Sequence, residues 1–223
     1  MWGYLSLLPA FLAFWATAGI WTVRCGNSPP QSCIFSQVLN LGAALAAWTC
    51  ILRYQQLRDW GVGKWPNQLI LWTGLLCALG TSIVGNFQVR RSRPAQEKNQ
   101  RATHLTGAFF AFFVGIFYFW LQLLLFWRVK SLPQPGAPWI GPLRLVLCSI
   151  CTILTVAMVV LHTWSLRSAS AACEWVVAML LFTLFGLFAV DFSGLDGCTL
   201  CLQPGPGSPS PPPASPIALK VQL

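Results

Sequence analysis

Apolar residues come in six long runs, separated by short polar stretches. Each run is about 20 residues long, which is the length a helix needs to cross a hydrocarbon core of roughly 30 Å. The runs predict transmembrane helices at about residues 4–23, 34–52, 68–87, 105–127, 143–164 and 172–191. Strands of a membrane barrel would be about 10 residues long and would alternate in polarity. The pattern therefore predicts an all-α integral membrane protein, with residues 1–191 forming a six-helix transmembrane bundle.

The C-terminal residues 192–223 have a different composition. Seven prolines lie between Pro204 and Pro216, among glycines and serines. A segment so poor in apolar residues and so rich in proline cannot build a core. We expect a disordered tail, which is cytosolic in the orientation favoured below.

Composition supports the membrane assignment and narrows the expected partners. Hydrophobic residues make up 56% of the chain and charged residues only 9%, against about a quarter in soluble domains. The net charge of +9 is explained by basic residues that flank membrane helices and meet anionic lipid headgroups. Nucleic acid is therefore not an expected partner. The expected partners are the lipid bilayer and an unidentified membrane or cytosolic protein. The chain is also a candidate for oligomerisation.

Cysteines and charges bear on the orientation. Cys25 and Cys33 flank the first connection and are candidates for a disulfide on an oxidising side of the membrane, with two free thiols as the alternative. Counts of basic residues on the two sides are nearly equal, so they do not orient the chain. The cysteine pair favours loops one, three and five outside, with both termini in the cytosol. Cys198 and Cys201 are then juxtamembrane candidates for palmitoylation, with unmodified thiols as the alternative.

Basic residues of loops two and four lie on one side of a six-helix bundle and are candidate contacts to anionic lipid or to a partner. The alternative for each is simple topological anchoring. These residues are Arg53, Arg58, Lys64, Arg128 and Lys130.

Small residues recur every four positions in three predicted helices, which places them on one helix face. Such faces let membrane helices approach closely. We expect intramolecular packing first and oligomerisation second. The residues are Gly107, Ala111 and Gly115 in the fourth segment, Gly74 and Ala78 in the third, and Gly42 and Ala46 in the second.

Polar residues inside the predicted helices are few, which argues against a proton or ion carrier. Glu174 and Asp191 lie at opposite ends of the last segment and are interpreted as boundary residues. His104 and His162 are the only histidines and lie near helix ends at mismatched depths, so paired haem ligation is not expected. Neither has a Ser or Cys partner for nucleophilic catalysis. The sequence therefore predicts no metal or other cofactor and no enzymatic activity.

Four stretches resemble the damage-regulated autophagy modulator family, and within it the transmembrane protein 150 group: Met1–Leu7, Pro29–Gln37, Tyr54–Trp60 and Gly85–Gln88. The resemblance runs through nearly the whole chain. Relative to the family pattern, the first loop is short and residues 89–96 form an insertion.

The resemblance implies a six-helix protein of endosomal, lysosomal, autophagosomal and plasma membranes, without established catalytic residues. It implies a non-enzymatic regulator of macroautophagy and cell survival, for which we expect a scaffold role. An ion channel, or a subunit that modulates one, is the alternative, since Asn86 and glycine-rich helices are able to line a path.

Overall fold

The computed structural model describes residues 4–22, 31–88, 94–128 and 138–193, and nearly all of them are helical. A 3₁₀ turn at Tyr4–Ser6 leads into the first α-helix. The α-helices are α1 (Leu7–Thr22), α2 (Gln31–Asp59), α3 (Lys64–Asn86), α4 (Pro94–Ala108), α5 (Gly115–Arg128), α6 (Ile140–Thr163), α7 (Arg167–Gly186) and α8 (Phe188–Asp191). A π-helical segment, Phe109–Val114, joins α4 to α5, so these three elements form one long rod.

The helices form a closed ring in chain order. α1 packs on α2, α2 on α3, and α3 on the rod made of α4, the π-helical segment and α5. α5 then packs on α6, α6 on α7, and α7 returns to α1. Short connections between successive helices favour this arrangement of sequential neighbours.

Five of the described helical stretches are long and apolar enough to span a bilayer, and the longest of them, Lys98–Arg128, has 31 residues. The apolar stretch Tyr4–Gly19 is shorter. Together with the helical ring, these stretches confirm the prediction of an all-α integral membrane protein.

Helix ends differ most from the expected bounds at two places, while the other ends lie within about five residues of them. α2 continues to Asp59, beyond the expected end at residue 52. The rod, which corresponds to the fourth predicted segment, begins at Pro94, ahead of the expected start at residue 105. Hydropathy reports only the part of a helix that is apolar, and a helix continues while its backbone hydrogen bonds are made. Proline is also well suited to the first position of a helix, because an N–H at that position would make no hydrogen bond within the helix.

Two tight turns connect neighbouring helices with the same hydrogen-bond pattern. After α2, Val62 N–H donates to Leu57 O and Gly61 N–H to Arg58 O, with Gly61 at φ +77°. After α6, Leu166 N–H donates to Leu161 O and Ser165 N–H to His162 O. These are Schellman motifs, which need a left-handed residue after the helix. Glycine adopts that conformation freely, whereas Ser165 does so at φ 62° with a steric cost.

Aromatic side chains fill the interior near the C-terminal end of α7. Phe119, Phe185 and Phe188 contact one another through their rings. Phe192 stacks on Phe188 and is fully buried. The packed part of the chain therefore extends past residue 191, and the predicted tail from residue 194 onward lies outside the described residues.

Candidate functional site

Arg53 lies inside the bundle, one and a half turns before the end of α2, and only 6% of it is exposed. Its Nε donates to Gln122 Oε1 of α5 at 3.1 Å. One terminal nitrogen donates to Gln56 Oε1, one helical turn further along α2, at 2.6 Å. Residues three or four apart lie on one helix face, so Arg53 and Gln56 reach the same interior point.

The C-terminal end of α8 closes this polar network. Asp191 is 4% exposed, and its Oδ2 lies 2.8 Å from Arg144 NH2 of α6 and 3.7 Å from Arg53 NH1. Arg144 also donates to the Leu187 carbonyl oxygen at 2.9 Å, and Gln56 Nε2 donates to the Asp191 carbonyl oxygen at 2.6 Å. One carboxylate thus ties α2, α6 and the last helix together.

The network encloses two guanidinium groups around one carboxylate, so it carries one excess positive charge. The Phe188 ring lies 5.5 Å from Arg53 Cζ and 5.8 Å from Arg144 Cζ, and Trp60 lies 5.2 Å from Arg53 Cζ. Aromatic faces attract cations through the ring quadrupole, most strongly where water is absent. The rings therefore offset part of the cost of burying the unbalanced charge.

A close backbone approach lies between α3 and the rod, where Gly80, which was not among the predicted small residues, meets the predicted face of Gly107 and Ala111. A Cβ at Gly80 would lie 2.5 Å from Ala111 N and 2.6 Å from Gly107 O, so only glycine permits this crossing. The contact falls at the π-helical segment, where Cys77 Sγ lies 3.5 Å from Ala111 O and is placed to donate to it. A π-helical turn displaces backbone groups from the regular helical ladder, and Cys77 provides a donor for one of them.

Comparison with known proteins identifies the family. Residues 22–195 match the Frag1/DRAM/Sfk1/Cwh43P N-terminal domain. This chain belongs to the Frag1/DRAM/Sfk1/Cwh43P family. The match covers every residue of the Arg53–Asp191 network. No solved structure matches the chain.

Relatives in this family carry names that refer to macroautophagy. The chain is 73% identical over 243 residues to modulator of macroautophagy TMEM150B of Bos taurus, and 70% identical over 243 residues to that of Homo sapiens, with 100% of each chain covered. It is 35% identical over 189 residues to transmembrane protein 150A of Mus musculus, which covers 82% of this chain and 66% of that protein. The resemblance to the damage-regulated autophagy modulators is thereby confirmed.

The basic residues predicted to contact lipid or a partner are partly exposed and partly buried. Arg58, Lys64 and Arg128 are exposed at one end of the ring, and Arg58 pairs with its neighbour Asp59 at 3.2 Å. Arg53 is instead engaged inside the bundle. Lys130 lies outside the described residues.

The small residues of the three predicted faces are all buried. A Cβ at Gly74 would lie 2.5 Å from Cys50 Sγ, and a Cβ at Gly115 would lie 2.9 Å from Cys77 Sγ. A Cβ at Gly42 would meet only Leu12 Cδ1, at 3.8 Å. The first two positions are at tight crossings within the chain, while Gly42 has room.

The predicted cysteine sites are only partly within the described residues. Cys33 is exposed in the first turn of α2 and is unpaired there, while Cys25 lies outside the described residues, so the disulfide stays a prediction. Cys198 and Cys201 also lie outside them. Within the described part of the chain, no three His, Cys, Asp or Glu side chains come together as a metal site requires.

A second polar cluster joins α2 to α3 at the opposite end of the ring. Asn40 Nδ2 donates to Asn86 Oδ1 at 2.8 Å, and Asn86 Nδ2 donates back to Asn40 Oδ1 at 3.0 Å. Ser82 Oγ donates to Asn40 Oδ1 at 2.6 Å, and Ser36 Oγ donates to Asn86 Oδ1 at 3.0 Å. Asn86 is thus engaged in holding two neighbouring helices together.

Proposed function

We propose that this chain is a non-enzymatic membrane regulator of macroautophagy and cell survival that acts as a scaffold. Support for the process comes from relatives of 70% and 73% identity that are named modulators of macroautophagy. We place the protein in endosomal, lysosomal, autophagosomal and plasma membranes, because autophagy proceeds through these compartments and the chain is built to remain in a bilayer.

The Arg53–Asp191 network is the observation that carries the scaffold role. Asp191 is held by Arg144 at 2.8 Å, only two residues before the described chain ends at Ser193. The described chain therefore ends at a fixed point on the same end of the ring as Arg58, Lys64 and Arg128. A rigid bundle whose exposed basic residues lie beside this end point suits the recruitment of a partner at an anionic membrane surface.

Neutralising bases at one end of the ring tests this proposal. The variant Arg58→Gln with Lys64→Gln removes two exposed charges from the proposed recruiting end. Lys98→Gln with Arg101→Gln is the matched control, because both residues are exposed on α4 at the opposite end. A third variant lacks residues 204–223. Each is expressed in cells depleted of the protein, and autophagosomes are counted by a lipidated marker with and without lysosomal inhibition.

We expect the first variant and the tail deletion to lower autophagosome accumulation while the protein stays in the membrane fraction. The control pair is expected to behave as the wild type. Unchanged autophagosome numbers in both test variants, or an equal loss in the control pair, would contradict the scaffold mechanism.

The interior of the helical ring supports the channel alternative less than the scaffold role. The described residues that line the cavity between α2, α3, the π-helical segment and α7 are apolar apart from Cys77, Thr81 and Glu174, whereas a conducting path needs polar groups to replace ion hydration. Ion flux through the purified protein in liposomes would nevertheless support the channel alternative.

A further inference from the structure

An elongated apolar cavity of about 200 Å³ runs inside the ring between α2, α3, the π-helical segment and α7. Its wall on α7 extends from Glu174 to Phe185, and its wall on α2 extends from Phe35 to Ala46. Eleven residues of helix correspond to roughly 16 Å at 1.5 Å per residue. The cavity is therefore long and narrow, and aromatic side chains form much of its wall.

A second cavity, of about 290 Å³, lies between α4, the π-helical segment, α6 and the first turns of α7. Phe112 and Glu174 belong to the walls of both cavities, so the two volumes adjoin at these residues. α6 packs closely on α5 and α7 but has few contacts with α4. The rod and α6 thus diverge toward this end, and the exposed Phe109 and Phe113 border an opening that faces lipid.

Among the described residues that line the inner cavity, Glu174 is the only charged one. No described residue donates a hydrogen bond to its carboxylate or forms an ion pair with it within 4 Å, in contrast to Asp191. An acid on the interior wall of a membrane bundle is costly to keep and marks a functional site by default. His104 and His162 both line the outer cavity together with Glu174, so the expectation that they lie at mismatched depths is wrong. Both imidazoles interact electrostatically with the Glu174 carboxylate, but neither forms a hydrogen bond or an ion pair with it.

We propose that the joined cavities bind a single-chain amphiphile with a protonated primary amine, which is the chemistry of a long-chain base. The ammonium head pairs with Glu174, and the hydrocarbon chain lies along the inner cavity toward Phe185. The ligand enters from the bilayer between α4 and α6. This inference stands apart from the scaffold role, because it depends on the opposite end of the ring.

Charge complementarity selects this head group over its neutral and anionic analogues. A carboxylate in apolar surroundings is stabilised by a cation that also donates hydrogen bonds. Phe35, Trp175 and Phe182 border the same cavity, and aromatic faces attract ammonium groups. A fatty acid would bring a second carboxylate against Glu174 and would be repelled, while an alcohol would supply a hydrogen bond without the charge.

Native mass spectrometry of the purified full chain in detergent tests the head-group selectivity. The probes are dodecylamine, dodecanol and dodecanoic acid, which share one chain and differ in head group. We expect the amine to bind roughly ten-fold or more tightly than the alcohol, since hydrogen bonds to charged groups are about twice as strong as neutral ones. The acid is expected not to bind.

Glu174→Gln is expected to remove the preference for the amine over the alcohol. Asp59→Asn is the matched control, because it makes the same kind of change at an exposed acid at the other end of the ring, and it should leave binding unchanged. Ala178→Phe provides a second variant, since Ala178 lies on the inner cavity wall and the added ring would occupy the volume of the chain. It should weaken amine binding at least ten-fold while thermal unfolding stays cooperative.

A photoreactive diazirine at the chain terminus of the amine locates the tail. We expect cross-links to peptides that contain Ala46 or Phe185, and competition by unlabelled dodecylamine. Equal binding of all three probes, equal loss in Glu174→Gln and Asp59→Asn, or cross-links confined to the outer surface of the ring would each overturn the proposal.

Discussion

Replacing Asp191 by Asn removes the one negative charge of the Arg53–Asp191 network and changes almost nothing in side-chain shape. The Asn amide oxygen still accepts a hydrogen bond from Arg144. What is lost is the charge that faces two buried guanidinium groups, at 2.8 Å from Arg144 and 3.7 Å from Arg53. The variant therefore isolates the electrostatic part of the network.

The expected magnitude follows from these distances and from burial. At an effective dielectric constant of about 20, the gross attraction is about 6 kcal/mol for the shorter pair and about 4–5 kcal/mol for the longer one. Desolvation of all three groups opposes this, and removing one partner of a buried pair costs about 3–5 kcal/mol net. The Arg144 side chain is 17% exposed and retains its hydrogen bonds, so we expect about 3 kcal/mol.

Thermal unfolding in detergent, followed by a thiol-reactive fluorescent dye, measures this loss. Cys50, Cys77, Cys148 and Cys151 are buried free thiols, so the dye reports the opening of the bundle. A loss of about 3 kcal/mol corresponds to a fall in the midpoint of roughly 6–12 °C for a chain of this size.

Asp59→Asn is the control, because the Arg58–Asp59 side chains are 53% and 66% exposed. An exposed pair contributes about 0–1 kcal/mol, so the midpoint should move by about 4 °C or less. Combining Arg144→Gln with Asp191→Asn should cost less than the sum of the single changes, since the two residues share one interaction. Equal shifts for Asp191→Asn and Asp59→Asn, or additive effects in the double variant, would refute the assigned role of Asp191.

Other changes test the helix crossings, the turns and the topology. Gly80→Ala should lower the unfolding midpoint, because its Cβ would lie 2.5 Å from a backbone nitrogen, whereas Gly42→Ala, whose Cβ meets nothing closer than 3.8 Å, should be tolerated; equal effects would count against the close crossing. Ser165→Gly should raise stability by about 1 kcal/mol, since glycine relieves the positive φ; a lower midpoint would contradict this. A membrane-impermeant maleimide should label exposed Cys33 in the folded protein and leave Cys50 unlabelled until denaturation; labelling from outside intact cells would support the predicted orientation, and labelling only after permeabilisation would reverse it.

Much of the fold could be predicted because the bilayer imposes a minimum length on each apolar run. Six runs gave six helical regions, and the ring of sequential neighbours follows from short connections. The extension of α2 to Asp59 could not be predicted from hydropathy, since a helix continues through polar residues wherever its hydrogen bonds are made. The π-helical segment was also missed, because its phenylalanines have the same hydropathy in either helical form.

The Arg53–Asp191 network was missed because its members are far apart in sequence, with a separation of 69 positions from Arg53 to Gln122 and of 47 positions from Arg144 to Asp191. Arg53 was interpreted as a loop anchor and Asp191 as a boundary residue. One signal was available: in a six-helix topology the ends of segments two, four and six lie on one side, so polar residues one or two turns inside those ends share a depth. Polar side chains at one depth inside a bundle have no water to bind, so they must form hydrogen bonds and ion pairs with one another.

The same reasoning separates the two acids of the last transmembrane region. Both were interpreted as boundary residues, and both lie on the inner side of the ring. Asp191 meets two cations within 4 Å, so its charge is used by the fold itself. Glu174 has no cation within 4 Å among the described residues, only the longer-range interaction with His104 and His162, and it borders the two cavities. Because a carboxylate without a hydrogen bond or an ion pair in apolar surroundings lowers stability, its presence beside an open apolar volume is explained more simply by a ligand that supplies a paired positive charge than by a contribution to folding.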